Sequence, residues 1–177
     1  MMKQEWFWLK KAEDASGIPG TKDFTATRYP YLMDKTSFDK LEDDVIFYTS
    51  HGEPVYDDFL FEPTFMFSER FESIFTHLEQ SIRLKYVHFV DKEKQYNVPA
   101  PLYYTPYLPC KNVVHNESKI ILGKAKELVL IKEQLEDSHI IHVHLPADDI
   151  WVFSLEGAEC ILRRAPMGII FKKVRCL

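Results

Sequence analysis

Three histidines, His139, His142 and His144, fall within one short segment, and Asp148 and Asp149 follow closely. If 138–145 is a strand, His142 and His144 project from one face, about 6.6 Å apart along the chain. Two imidazoles at that separation can share a metal ion with Asp148 or Asp149 as a carboxylate ligand. The same groups can serve a hydrolase as general acid and base. No further ligand stands at a required spacing, so exposed or hydrogen-bonded strand histidines are expected, with no metal and no other cofactor.

Nucleophiles are as thinly supported. Cys110 lies between Pro109 and Lys111, but no pattern in the sequence places a histidine beside it, and an ordinary thiol is expected. The serine of Ser154-Leu155-Glu156-Gly157 lacks the Gly-x-Ser-x-Gly turn that exposes a nucleophile on an α/β sheet. Six scattered glycines do not build a phosphate-binding loop. These readings point away from an enzyme.

Charge is the stronger signal. The net charge is −5, and its distribution is uneven. Residues 34–72 carry eleven acidic side chains against three basic ones, whereas Arg163, Arg164, Lys172, Lys173 and Arg175 crowd the C-terminus. The run Glu42-Asp43-Asp44, with Asp57 and Asp58, lacks the alternating ligands and turn glycine of a calcium loop. It is expected to be a solvated acidic surface that receives a basic partner. The acidic balance opposes nucleic-acid binding, and the basic C-terminal residues lack the aromatic-basic motifs of known modules.

These residues must be positioned by a packed scaffold. Thirteen Phe, nine Tyr and three Trp exclude a disordered chain. Residues 5–10 read as a buried strand, with Trp6 and Trp8 on one face and Phe7 and Leu9 on the other. A loop is expected over 12–22, a strand over 45–49 and a turn over 51–54. No pattern organises 23–44. Ser68 is the expected N-cap of a helix over 69–79, whose buried stripe is Phe71, Ile74, Phe75 and Leu78. A strand over 83–90 follows.

The prolines at 99, 101, 106 and 109 predict at best an edge strand over 96–109. Short strands are expected at 113–114 and 120–122. Strands 126–132 and 138–145 read as an antiparallel hairpin, and 148–153 is either strand or extended lead-in. A second helix starts at Ser154, with Leu155, Ala158, Ile161 and Leu162 on one face. Pro166 and Gly168 stop it, and a strand opens at Ile169. The class is α+β: a mostly antiparallel sheet with two short-to-medium helices packed on it. Residues 1–177 make one domain, with 1–56 as a loosely attached N-terminal portion.

Cys110, Cys160 and Cys176 have no metal-like spacing. No secretory signal is expected from residues 1–11, and no apolar run reaches the roughly 20 residues that span a membrane. A cytoplasmic protein with reduced thiols and no membrane partner is expected.

Two pairs of segments carry a resemblance. In the first, Pro63 to Phe75 leads into Leu84 to Val90. In the second, Trp151 to Leu162 leads into Pro166 to Phe171. Together they are similar to the immunity proteins of bacterial polymorphic toxin systems, the family once grouped as a domain of unknown function around a myxobacterial immunity protein. That family shows a Ser-x-[Arg/Lys]-Phe helix start, matched here by Ser68, Arg70 and Phe71. It also shows a Gly-Ile-x-Phe element near the end, matched by Gly168, Ile169 and Phe171. The resemblance covers residues 57–174. It implies a protein that binds one cognate toxin domain and blocks it sterically, with no catalytic residues to carry over. It does not transfer contact residues. The acidic segment adds a basic toxin as the expected partner. The alternatives are a small hydrolase using His142, His144 and a carboxylate, or a regulatory binding module.

Overall fold

The computed structural model describes residues 5–15, 35–49, 56–62, 64–91, 101–135 and 137–177. Strand β1 (Trp6–Lys11) is the centre of the first sheet. Strands β10 (Ile140–Leu145) and β11 (Asp148–Ser154) form a hairpin on one side of it. Strand β12 (Ile169–Cys176) lies on the other side, and β9 (Val129–Leu130) runs parallel to β12 at the edge. Both faces of β1 are apolar, as its sequence demands. Trp6 and Trp8 pack with Ile141, Val143, Ile150 and Val152 under a cover from Val113, Leu128, Leu130 and Leu135. Leu9 and Phe7 face the opposite layer.

That opposite layer joins the first sheet to the second. The second sheet has the order β2 (Asp44–Thr49), β5 (Arg83–Asp91), β6 (Tyr103–Tyr107), β4 (Met66–Ser68), β3 (Phe59–Leu60). Between the sheets lie helices α2 (Glu72–Leu78) and α3 (Leu155–Leu162). Aromatic rings fill this space. Phe65 stacks on Trp151 at 4.8 Å, Phe67 on Phe75 at 3.9 Å, and Phe153 meets Phe75 edge-on at 5.6 Å. Such pairs add to the burial of their area. The other face of the second sheet packs Val45, Leu60, Met66, Val87, Phe89 and Tyr103 together.

The α+β class holds, with differences in detail. The pairings β2–β5 and β9–β12 are parallel, and the other strand pairs described are antiparallel. A third helix, α1 (Lys35–Asp39), lies in the stretch where no pattern was visible. The expected hairpin of 126–132 with 138–145 does not form. Residues 124–130 divide into β8 (Lys124–Glu127), which pairs with β7 (Lys119–Ile121), and β9, which joins β12. Val114 contributes only an isolated bridge to Leu130.

The proline-rich strand is not at an edge. β6 lies between β5 and β4, yet β4 pairs only with Tyr103 and Tyr104, so Pro106 sits beyond the doubly bonded stretch. Its missing N–H therefore costs that pairing nothing.

Ser68 ends β4 and precedes a 3-10 turn, Glu69–Phe71, before α2 begins. Its hydroxyl does not cap; it donates to Asp58 instead. The stripe Phe71, Ile74, Phe75 and Leu78 is buried as expected. Ser154 does cap α3, accepting the Gly157 N–H at 3.2 Å. The buried face of α3 is Gly157, Ala158 and Ile161, while Leu155 and Leu162 are exposed. The turn at 51–54 and residues 16–22 of the expected loop lie outside the described residues.

Candidate functional site

Strand register builds the site. Asp44 of β2 pairs with Tyr86 of β5, and Tyr86 pairs with Tyr104 of β6. Direct cross-strand partners share a face, so Asp44, Tyr86 and Tyr104 form a row across the sheet. The next residue in that row, Phe67, is buried under Phe75 of α2. The row is therefore covered at one end and open at the other. Tyr86 is 44% exposed, and its ring lies 5.0 Å from that of Tyr104. His88, two residues along β5, pairs its Nε2 with Asp44 Oδ1 at 2.9 Å.

The acidic run that enters β2 is tied down from below. Lys85 points to the opposite face and is buried, donating from Nζ to the Leu41 carbonyl. The same ammonium lies 5.4 Å from the Phe38 ring of α1 and 3.7 Å from Asp43. The Tyr86 N–H donates to the Asp43 carbonyl. The backbone of 41–44 is thus anchored while Glu42, Asp43 and Asp44 reach solvent. The Asp43 side chain is 97% exposed. On the covered side of the row, burial, the Tyr86 hydroxyl and the charges of Glu72 and Glu69 push the Tyr104 phenol up to about 12.

Asp57 and Asp58 do not belong to that surface. Both are buried, which corrects their placement as partner-binding residues. Asp58 accepts the Ser68 hydroxyl at 2.9 Å and the Met167 N–H at 2.9 Å, and it pairs with Arg70 at 3.4 Å. It joins the start of α2 to the turn before β12. Asp57 is held where Gly168, at φ +88°, approaches so closely that a Cβ there would lie 2.7 Å from the Asp57 Cβ. The Tyr103 hydroxyl donates to the Asp57 carbonyl, and burial followed by the nearby Asp58 and Asp57 charges raises the Tyr103 pKa. The Asp58 carboxylate holds the fold and Asp57 is buried beside it, and adjacent acidic residues in a sequence carry no mark of that difference.

The histidines are also committed. His142 is 2% exposed and stacks on Trp151 at 4.4 Å. Its Nδ1 lies 2.9 Å from the Leu108 carbonyl, and its Nε2 lies 2.6 Å from Asp149 Oδ1. Both partners only accept, so both ring nitrogens carry protons. Burial opposes that charge, but the Asp149 hydrogen bond, the contact with Cys110 and their charges push the pKa up to about 10. A doubly protonated ring has no lone pair for a metal or for base catalysis. His144 lies 4.0 Å from the same carboxylate oxygen. Among the described residues, no group of three or more His, Cys, Asp or Glu is placed to hold a metal ion.

Sequence reasoning missed two things here. Cys110 Sγ stands 3.4 Å from His142 Nδ1, a contact between residues 32 apart in sequence. Tyr86 and Tyr104 join the acidic run through strand register, which only the pairing of β2 with β5 and β6 reveals. Their one visible trace is the alternation in β5, where Tyr86 and His88 share a face opposite Val87 and Phe89. No protein-family model matches the chain, and neither does any curated protein sequence. No helix among the described residues is long and apolar enough to cross a membrane.

Proposed function

We propose that the protein is a non-catalytic immunity protein. It acts in the cytoplasm, binding a basic cognate toxin domain and covering its working surface. The observation that carries this reading is the open row Asp44–Tyr86–Tyr104 with Glu42 and Asp43 on its rim. Tyrosine is enriched where interfaces concentrate their energy, because it buries a large rigid area and keeps a polar tip. The acidic rim steers a basic partner and rejects acidic ones. The resemblance of segments 63–90 and 151–171 to toxin-immunity proteins supports the same reading. The hydrolase alternative requires His142 as a base, and its ring nitrogens are both donors to other groups.

The test is neutralisation. A candidate toxin domain with a basic surface is expressed with and without this chain, and cell growth is followed. Rescue, together with a stable 1:1 complex of the purified proteins, is expected. Tyr86→Ala should weaken that complex by about 5- to 150-fold, the range for losing one buried aromatic contact of 1–3 kcal/mol. Unrelieved toxicity at excess immunity protein would overturn the assignment. Rescue with undiminished Tyr86→Ala affinity would move the interface elsewhere.

A further inference from the structure

A groove lies between the end of α2 and β10. It has a volume of about 290 Å³, and Glu79, Leu108, Cys110, Lys111, Ser138 and His142 are among its walls. Cys110 is exposed there. Backbone geometry fixes it against His142: the two form an isolated parallel bridge, and the Lys111 N–H donates to the His142 carbonyl at 2.9 Å. Sγ then lies 3.4 Å from Nδ1, on the side of the ring away from Asp149. The imidazole thus has the thiol at one nitrogen and the Asp149 carboxylate at the other, with Cys110 exposed.

We propose that Cys110 is a reactive thiol that exchanges with low-molecular-weight disulfides, its anionic sulfur stabilised by the charged ring of His142. The imidazolium follows from hydrogen bonding alone, since Leu108 O and Asp149 Oδ1 each require a proton on the ring. Sγ lies 3.4 Å from the same Nδ1 that meets the Leu108 carbonyl, so a sulfur anion there gains the attraction of the charged ring. Other charges near the groove are Lys111, whose ammonium donates to Ser138, and the Glu79 and Asp137 carboxylates. Behind the ring stand Asp149 and His144. In the exchange, Cys110 Sγ attacks one sulfur of R–S–S–R. The reagent's S–S bond breaks, a Cys110–S–S–R bond forms, and the second sulfur leaves as RSH. Cys110 is oxidised and the departing sulfur reduced. Cys110 attacks as the anion, its proton already released to solvent; the departing sulfur takes a proton from water, and His142 keeps both of its own. His142 and Asp149 act as positioning residues. The inference does not depend on the immunity reading.

Two reagents test it on the full-length protein, with Cys160 and Cys176 as internal references. Iodoacetamide, followed by peptide mapping from pH 5 to 9, reads the sulfur anion; oxidised glutathione reads disulfide exchange. Cys110 is expected to alkylate first and to keep more of its rate than Cys160 and Cys176 do as the pH is lowered. Oxidised glutathione should add one equivalent, at Cys110. Asp149→Asn keeps an acceptor for Nε2–H but removes the charge, and should slow Cys110 by about tenfold or more at pH 6. Thermal unfolding and the unchanged reference rates show that this variant is folded. Cys110 tracking the reference cysteines across pH, or equal rates in wild type and Asp149→Asn, would overturn the proposal. Alkylation without glutathione addition would overturn the disulfide chemistry.

Discussion

The two sheets differ in how completely they spend their faces. In the first, β1 is covered by apolar layers on both sides, by Trp6 and Trp8 in one direction and Leu9 in the other. In the second, β5 buries Val87 and Phe89 but leaves Tyr86 and His88 open to solvent. Buried positions are held to shape and volume. The half-covered face of β5 is released from that demand, and charge and tyrosine collect there. The first sheet is a spine and the second is a presenting surface, with α2 and its Phe75 holding one to the other.

The sharpest break of this arrangement is at the ring that touches both sheets. Phe75 is fully buried, stacked on Phe67 of the second sheet and edge-on to Phe153 of the first. Phe75→Ala is expected to cost about 3–5 kcal/mol. Urea denaturation measures it, and an unchanged midpoint would remove α2 from the role of connector.

The spine was largely legible in the sequence, and the presenting surface was not. Trp6, Trp8 and Leu9 declare a two-faced strand because period-2 burial is local. The stripe Phe71, Ile74, Phe75 and Leu78 declares a helix for the same reason, as does the Ser154 cap. What escaped is non-local. The position of β6 inside its sheet depends on how far β4 reaches, not on Pro106 itself. The split of 124–130 between two partners depends on where β12 ends. Helix α1 is five residues long and is held by Phe38 under Arg83 and Lys85, contacts that no short window contains. Asp43 and Asp57 look alike in sequence, and only tertiary burial separates a rim charge from an internal one.

That last distinction predicts the next largest effect. Asp58→Ala leaves the buried Ser68 hydroxyl and the part-buried Met167 N–H without their acceptor. The expected loss is about 2–3 kcal/mol, from groups left unsatisfied. Partner affinity measured on the folded fraction should stay near wild type. A stable Asp58→Ala protein with lost affinity would return this carboxylate to the interface.

A smaller effect should separate the sheets by pH. The folded pKa of His142 is raised to about 10, from about 6.5 in the unfolded chain. Its contribution is complete below about pH 6.5 and is lost as pH rises through 10. Asp149→Asn removes the main charge partner, although Asn still accepts and the Asp149 side chain is 24% exposed. The stability gap between wild type and Asp149→Asn should therefore be widest near pH 6 and narrow toward pH 10. Groups that titrate equally in both proteins cancel from that difference. A gap constant across this range would mean that the ring is neutral when folded.

The smallest stability effect belongs to the acidic rim, and it is the one that speaks to function. Asp43 is 97% exposed beside a Lys85 held chiefly by the Leu41 carbonyl, and Asp44 is 65% exposed beside His88. Exposed pairs of this kind contribute about 0–1 kcal/mol. Asp43→Lys/Asp44→Lys should therefore unfold within about 1 kcal/mol of wild type. Association with a basic partner is a different matter, because exposed charges steer diffusional encounter over a distance set by salt. The variant should bind more slowly, with its dissociation rate little changed, and the defect should shrink as salt is raised. Tyr86→Ala should do the reverse, speeding dissociation with a weak salt dependence, since its contribution is contact area. Stopped-flow kinetics at two salt concentrations separate these outcomes. If both variants changed the same rate constant with the same salt dependence, the rim and the tyrosine row would not be acting as the steering and anchoring parts of one surface.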